Sequence, residues 1–305
     1  MVLDFYSKVK ALLQTDKQGV LMVVIANEGS SPGRKGFKMV VTQNQMQGTI
    51  GGGIMEHKLV EYARSLLDKP TFSSFIKHQI HDKSAPTDQS GMICSGRQTI
   101  AFYALNTESL TWIDLILNAE NGEIFYCENG VHLNATTNAT EWEFIEPISL
   151  PNHVYIIGGG HVGLALSEVL SRLDFELHLL DHRENLNTME ANNFVHSKQI
   201  VEFETIEQNI PESENTYVVV MSFGYRTDDI IIRRLLGRKY KFVGMLGSQE
   251  KMNTLYKNLL ADGFSQEQLD QVHAPIGLDI KSETAAEIAI SVAAQLIQIK
   301  NKGLR

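Results

Sequence analysis

Cysteine is nearly absent. The 305 residues hold two, Cys94 and Cys127, too few for a disulfide framework. The ten histidines form no H-E-x-x-H run and no C-x-x-C pair accompanies them, so no metal signature is present. His57 and His153 read as structural or solvated residues. Long apolar runs are also missing. Val20–Ala26 is among the longest, far short of the ~20 residues that span a bilayer. No basic stretch followed by an apolar one opens the chain, so a secretory leader is not expected. Asn134-Ala-Thr and Asn138-Ala-Thr then read as chance glycosylation patterns, and a cytoplasmic location with reduced thiols is expected. Basic charge is in deficit, with 27 Lys and Arg against 36 Asp and Glu for a net charge of −9. This argues against a general nucleic-acid binder but leaves room for a local anion site. No G-x-S-x-G nucleophile turn, internal repeat or low-complexity tract stands out.

What is present suffices for two cores: 43% hydrophobic residues in a length suited to two domains. The division is expected at 1–150 and 151–305, with Pro147–Asn152 as a linker. In the first half, helices are expected over Asp4–Leu13, Ile54–Leu67 and Leu110–Asn118. Strands are expected over Val20–Ala26, Lys38–Thr42, Gln47–Ile50, Phe75–Ile80, Gln98–Leu105, Glu123–Cys127 and Trp142–Ile145, giving a mixed α/β domain. His81–Gly96 reads as a loop. The second half is more regular. Strands at His153–Ile157, Phe175–Leu180, Thr216–Met221 and Phe242–Leu246 are each followed by an apolar-faced helix, or by a long connection and then a strand. That rhythm indicates a doubly wound parallel sheet.

Two glycine-rich turns sit between a strand and a helix. Gly158-Gly159-Gly160-His161-Val162-Gly163 matches G-x-G-x-x-G. There Gly158 allows a tight turn, Gly160 a close backbone approach to a diphosphate, and Gly163 close packing of helix on strand. His161 lies inside the turn and faces a ligand or solvent. Asp181, 21 residues beyond Gly160, stands where an acid takes ribose hydroxyls, with Arg183 two residues on. In the first half, Gly51-Gly52-Gly53 precedes a helix bearing Glu56, and the Gly29–Lys38 loop adds Ser30, Ser31, Arg34 and Lys35. Backbone N–H groups at a helix start plus local cations make an anion cradle. Ser222–Asp228, Gly247-Ser248 and Pro275–Asp279 follow strands or precede the last helix, so all could line one crevice. Cys94, flanked by small residues and Arg97, is a thiol candidate, whereas Cys127 reads as a buried small hydrophobe.

Taken together, these motifs resemble the XdhC/CoxI family of accessory proteins for molybdenum hydroxylases. The resemblance rests on Gly29-Ser-Ser-Pro32, Gly48-Thr-Ile-Gly-Gly-Gly53-x-x-Glu56, the Cys94 segment, Gly158–Gly163, Asp181-x-Arg183-Glu184, Gly244-x-x-Gly247-Ser248-x-x-Lys251, and His273–Asp279 with Thr284-x-x-Glu287. It implies a family-specific N-terminal domain followed by a Rossmann-like domain. It also implies a molybdenum cofactor-binding chaperone, often dimeric, that assists sulfuration by a cysteine desulfurase and insertion into a xanthine dehydrogenase-type client. The glycines, Ser30, Ser31, Arg34, Lys35, Glu56, His161, Asp181, Arg183, Gly247 and Ser248 are then the cofactor-binding candidates. The sequence departs from the family pattern at Ser95, in place of a glycine, and at Phe223 and Tyr225, in place of histidines, so no catalytic histidine is carried over. The competing expectations are an NAD(P)-dependent oxidoreductase, or another nucleotide binder, using the Rossmann half, and an interaction scaffold whose Rossmann half is empty.

Overall fold

The computed structural model describes residues 2–68, 71–80, 96–134, 140–148 and 151–302. The chain divides into two compact units, Met1–Leu150 and Pro151–Arg305.

In the first unit, helix α1 (Val2–Asp16) precedes strands β1 (Gly19–Glu28), β2 (Lys38–Val41) and β3 (Met46–Gly48), then α2 (Gly53–Leu67), β4 (Phe75–Ile80) and β5 (Arg97–Leu105). The five strands form one sheet in the order β3-β2-β1-β5-β4, antiparallel throughout. Helix α3 (Ser109–Leu117) leads into a small antiparallel sheet of β6 (Glu123–Cys127), β7 (Gly130–Leu133) and β8 (Glu143–Pro147). β1 is buried on both faces, which is why it reads as a continuous apolar run rather than an alternating one. Leu21 and Val23 meet Tyr6 and Val9 of α1 and Ile113 of α3 on one side. On the other side, Val20, Met22 and Val24 meet Met55, Leu59 and Ala63, spaced by four along α2. Cys127 is buried, as its apolar setting predicts. The expected linker is shorter than its composition suggests, because Pro147 closes β8 and Asn152 opens the next strand.

The second unit begins with β9 (Asn152–Ile157), α4 (His161–Leu170), β10 (Phe175–Asp181), the short α5 (Asn187–Glu190) and β11 (Ser197–Ile200). A 3₁₀ segment, Phe203–Asn209, precedes β12 (Ser213–Val220), α6 (Tyr225–Leu235), β13 (Tyr240–Met245) and α7 (Gln249–Ala261). Helix α8 (Gln266–Leu269), β14 (Val272–His273) and α9 (Ala285–Lys300) complete it. All six strands pair in parallel, in the order β11-β10-β9-β12-β13-β14. This is the Rossmann arrangement, with the strand order reversing between β9 and β12. Leu166 of α4 and Val292 and Leu296 of α9 cover Val154, Ile156 and Val219 on one face. Ile231, Leu235 and Leu255 of α6 and α7 cover Ile157, Val218 and Val243 on the other. Burial on both faces explains the apolar strands. Thr284 starts α9 through a reciprocal capping box with Glu287, two residues already paired in the sequence pattern. Among the described residues, no helix is long and apolar enough to cross a membrane.

Candidate functional site

The β9–α4 turn lies at the point where the strand order reverses, and the glycines divide their work. A side chain at Gly158 would place Cβ 2.2 Å from the Met221 carbonyl oxygen, at a φ of +126°. One at Gly163 would stand 2.1 Å from the Gly158 carbonyl oxygen. Both are therefore required by packing. Gly160 differs: its φ is −72° and no atom lies within 4 Å of where its Cβ would be. The space beside it belongs to a cleft of about 720 Å³ lined by Gly160, His161, Arg183, Ser222, Phe223 and Leu246, among others. Gly160 starts α4 without a side-chain cap, and among the described residues no group accepts from the N–H of Gly160 or His161. Those groups and the positive end of the helix dipole suit an anion. His161 is exposed at the turn.

Asp181 ends β10 behind this turn and is 1% exposed. Its Oδ2 accepts from the Gly159 N–H at 2.7 Å and from the Arg183 Nη2 at 2.7 Å, while Oδ1 accepts from the Arg183 Nε and N–H, each at 2.9 Å. Burial raises the carboxyl pKa, but the Arg183 guanidinium and the Gly159 N–H outweigh burial and hold it below its ordinary value. A bidentate partner of this kind fixes the guanidinium plane. Both oxygens are thus engaged by the chain itself. The carboxylate does not fit the ribose-binding part that a nicotinamide dinucleotide requires. Arg183 instead reaches the cleft, where it faces the ring of Phe223 at 5.8 Å. Phe223 is 79% exposed.

A second polar group lies beneath the cleft and escaped the candidate site. Asp228 of α6 is 1% exposed and pairs with Lys251 of α7. The Ser222 hydroxyl donates to its other oxygen at 2.5 Å. Burial raises the Asp228 pKa above its ordinary value despite Lys251 and Ser222, which lower it. Asp228 ends a loop expected to line the crevice and Lys251 belongs to a family-like motif, but 23 positions apart nothing in spacing joins them. Gly247 packs against Met252 and Lys251, and Ser248 caps α7 by accepting from the Lys251 N–H. Gly247 lines a hollow of about 540 Å³ with Pro275–Ser282, and Leu246 borders both this hollow and the cleft. The turn residues expected to share one crevice therefore line two hollows that adjoin at Leu246.

In the first unit the two glycine-rich segments do meet. A Cβ at Gly51 would lie 2.5 Å from the Gly33 nitrogen, and one at Gly33 would lie 2.3 Å from Oε1 of Gln98. That oxygen accepts from the Ser31 hydroxyl at 2.8 Å and from the Gly33 N–H at 3.0 Å. Ser31 is therefore a buried clamp, whereas Ser30, Arg34 and Lys35 are exposed, the Lys35 ammonium lying 5.0 Å from the Phe144 ring. Gly51, Gly52 and Gly53 all have positive φ. Glu56 folds back over this turn. Its Oε2 accepts from the Thr49 hydroxyl at 2.6 Å, the Ile50 N–H at 2.8 Å and the Gly52 N–H at 3.0 Å. Burial opposes the charge, but Thr49 and these N–H groups hold the carboxyl below its ordinary value. The cradle read from composition is thus already bound by the chain's own carboxylate, leaving the N–H groups of Gly53 and Ile54 without an acceptor among the described residues. Cys94 and Ser95 lie outside the described residues.

The XdhC Rossmann domain family matches residues 154–296, and the XdhC and CoxI family matches residues 12–75. The chain belongs to the XdhC/CoxI family. It is 22% identical to a probable xanthine dehydrogenase subunit from Bacillus subtilis, over 98% of each chain. It is 23% identical to the uncharacterized protein YqeB of Escherichia coli, over 91% of this chain but 43% of that one, so it spans less than half of YqeB. A Bacillus halodurans crystal structure described as a xanthine dehydrogenase superposes with a TM-score of 0.78 at 21% identity, covering 98% of this chain and 96% of the other. At that identity the superposition bears on fold. Family membership supports a role in xanthine dehydrogenase maturation.

Proposed function

We propose that this protein binds a molybdenum cofactor as cargo and assists its sulfuration and insertion into a xanthine dehydrogenase-type molybdenum hydroxylase. The observation that carries the reading is the unpaired N–H pair of Gly160 and His161, open to the cleft beside Arg183, in a chain of this family. The cargo is a flat polar pterin with a phosphate and, in some forms, a nucleotide tail. Its phosphate matches the helix start, and a planar ring matches the exposed face of Phe223. In this reading residues 151–305 are the Rossmann-like cargo domain and residues 1–150 the family-specific domain, whose exposed Arg34 and Lys35 add positive charge beside a glycine turn. The protein holds and hands over. A cysteine desulfurase supplies sulfur and the hydroxylase receives the product, with a cytoplasmic homodimer as the proposed carrier.

Calorimetric titration of the full chain with molybdopterin, NAD⁺ and NADH tests this. Cofactor binding is expected, with affinity at least tenfold weaker in Gly160→Val, a change the open surroundings of Gly160 tolerate. Heat from the dinucleotides with none from molybdopterin would overturn it in favour of a nucleotide-binding protein.

A further inference from the structure

We propose that His153, Glu176 and His178 form a binding site for a borderline divalent transition metal ion such as Zn²⁺. The site rests on the parallel register of β9 and β10. His153 lies opposite Glu176, and Tyr155 lies opposite His178. Residues two apart on a strand share a face, so all three donors project from the same side of the sheet. The Nδ1 of His153 stands 3.1 Å from the Nε2 of His178 and 3.5 Å from Glu176 Oε2. All three ligand atoms lie within 4.8 Å of one another. Donors held about 2.0–2.2 Å from a tetrahedral Zn²⁺ stand roughly 3.3–3.5 Å apart, so the two spacings from His153 are close to a metal's own.

The surroundings fix the rings. The remaining nitrogen of His178, Nδ1, is 2.8 Å from the Ser197 hydroxyl on β11. With the Nδ1 proton donated there, the Nε2 lone pair faces the site. An outer hydrogen bond of this kind orients a metal-bound imidazole. Tyr155 stacks on His178 with ring centroids 4.5 Å apart. The side chains of His153 and Glu176 remain 33% and 35% exposed, leaving a side open to a fourth ligand such as water. His153 stands near the start of β9, whereas the cleft follows its end, so the two sites are separate. Imidazole and carboxylate donors suit Zn²⁺, Co²⁺ and Ni²⁺ over Mg²⁺ or Ca²⁺.

The metal-stripped full chain titrated with Co²⁺ tests the proposal. The expected result is one Co²⁺ per chain with visible absorption bands of a four-coordinate site, displaced by Zn²⁺. Zn²⁺ is also expected to raise Tm in the unmodified chain. Binding is expected to weaken at least tenfold in His178→Ala and in the near-isosteric Glu176→Gln, and to be unchanged in His57→Ala, an exposed control. Circular dichroism confirms that each variant is folded, and His153→Asn serves should His178→Ala fail. No cobalt bands in the unmodified chain, or bands that persist in folded variants of these residues, overturn it.

Discussion

The Oε2 of Glu56 accepts a hydrogen bond from the Ile50 N–H at 2.8 Å, bending a helical carboxylate back over the glycine turn that launches its own helix. A turn with three successive positive φ angles is costly in chain entropy, and this internal anion holds it. Glu56→Ala is expected to destabilise the protein by about 1–2 kcal/mol, measured by urea unfolding. It also frees the Ile50 and Gly52 N–H groups, so sulfate is expected to raise the Tm of the variant more than that of the unmodified chain. Equal shifts would mean that the turn closes without an anion.

Gly158 and Gly160 are expected to part company on substitution. Gly158→Ala drives Cβ into the Met221 carbonyl at a strained φ and is expected to cost at least about 3 kcal/mol. Gly160→Ala meets nothing and is expected to leave Tm within a degree or two. Thermal melts of the two proteins side by side check this.

Asp181 makes stability sensitive to acid. Its folded-state pKa is below the unfolded value of about 3.9, so the interaction stabilises above that pH and fades as pH falls through the folded value. Asp181→Asn is expected to lower stability at pH 7 by about 3 kcal/mol, because Arg183 loses its partner. The gap to the unmodified protein should narrow as pH falls below the unfolded value of about 3.9, as seen in Tm against pH. A constant gap would assign the loss to packing.

Asp228 and Lys251 are expected to be coupled. Lys251→Met strands a buried carboxylate and is expected to cost about 3 kcal/mol, whereas Asp228→Asn with Lys251→Met is expected to cost less than the sum of the single changes. A double-mutant cycle by denaturant unfolding measures the coupling. Additivity would mean that the two side chains act independently.

Much of the architecture was legible in the sequence, because both faces of β9, β12 and β13 are covered and such strands read as apolar runs between glycine turns and helices. β11 was not: Ser197-Lys-Gln-Ile200 is an edge strand with an exposed side and no alternation. β7 and β14 are four and two residues long, too short to show a period. The antiparallel course of the first sheet is likewise absent from local pattern, since pairing is decided by distant chain. Among site residues, the glycines of the β9–α4 turn were legible because close packing excludes any side chain at Gly158 and Gly163. That Asp181 and Glu56 would spend their oxygens inside the protein was not, since a carboxylate in a motif looks the same whether it turns outward or back. The Asp228–Lys251 pair and the two imidazoles on β9 and β10 are joined only by folding.

The reversal of strand order between β9 and β12 leaves a notch at the sheet's upper rim whatever side chains line it. A descendant that had abandoned its guest would keep the same hollow, because the winding of the chain makes it. What distinguishes a working receptacle from a relic is the number of main-chain donors still idle at its floor. By that measure the two glycine corners of this protein are alike: each lends donors to a carboxylate of the chain, Glu56 or Asp181, and each keeps a pair idle among the described residues, Gly53 with Ile54 or Gly160 with His161.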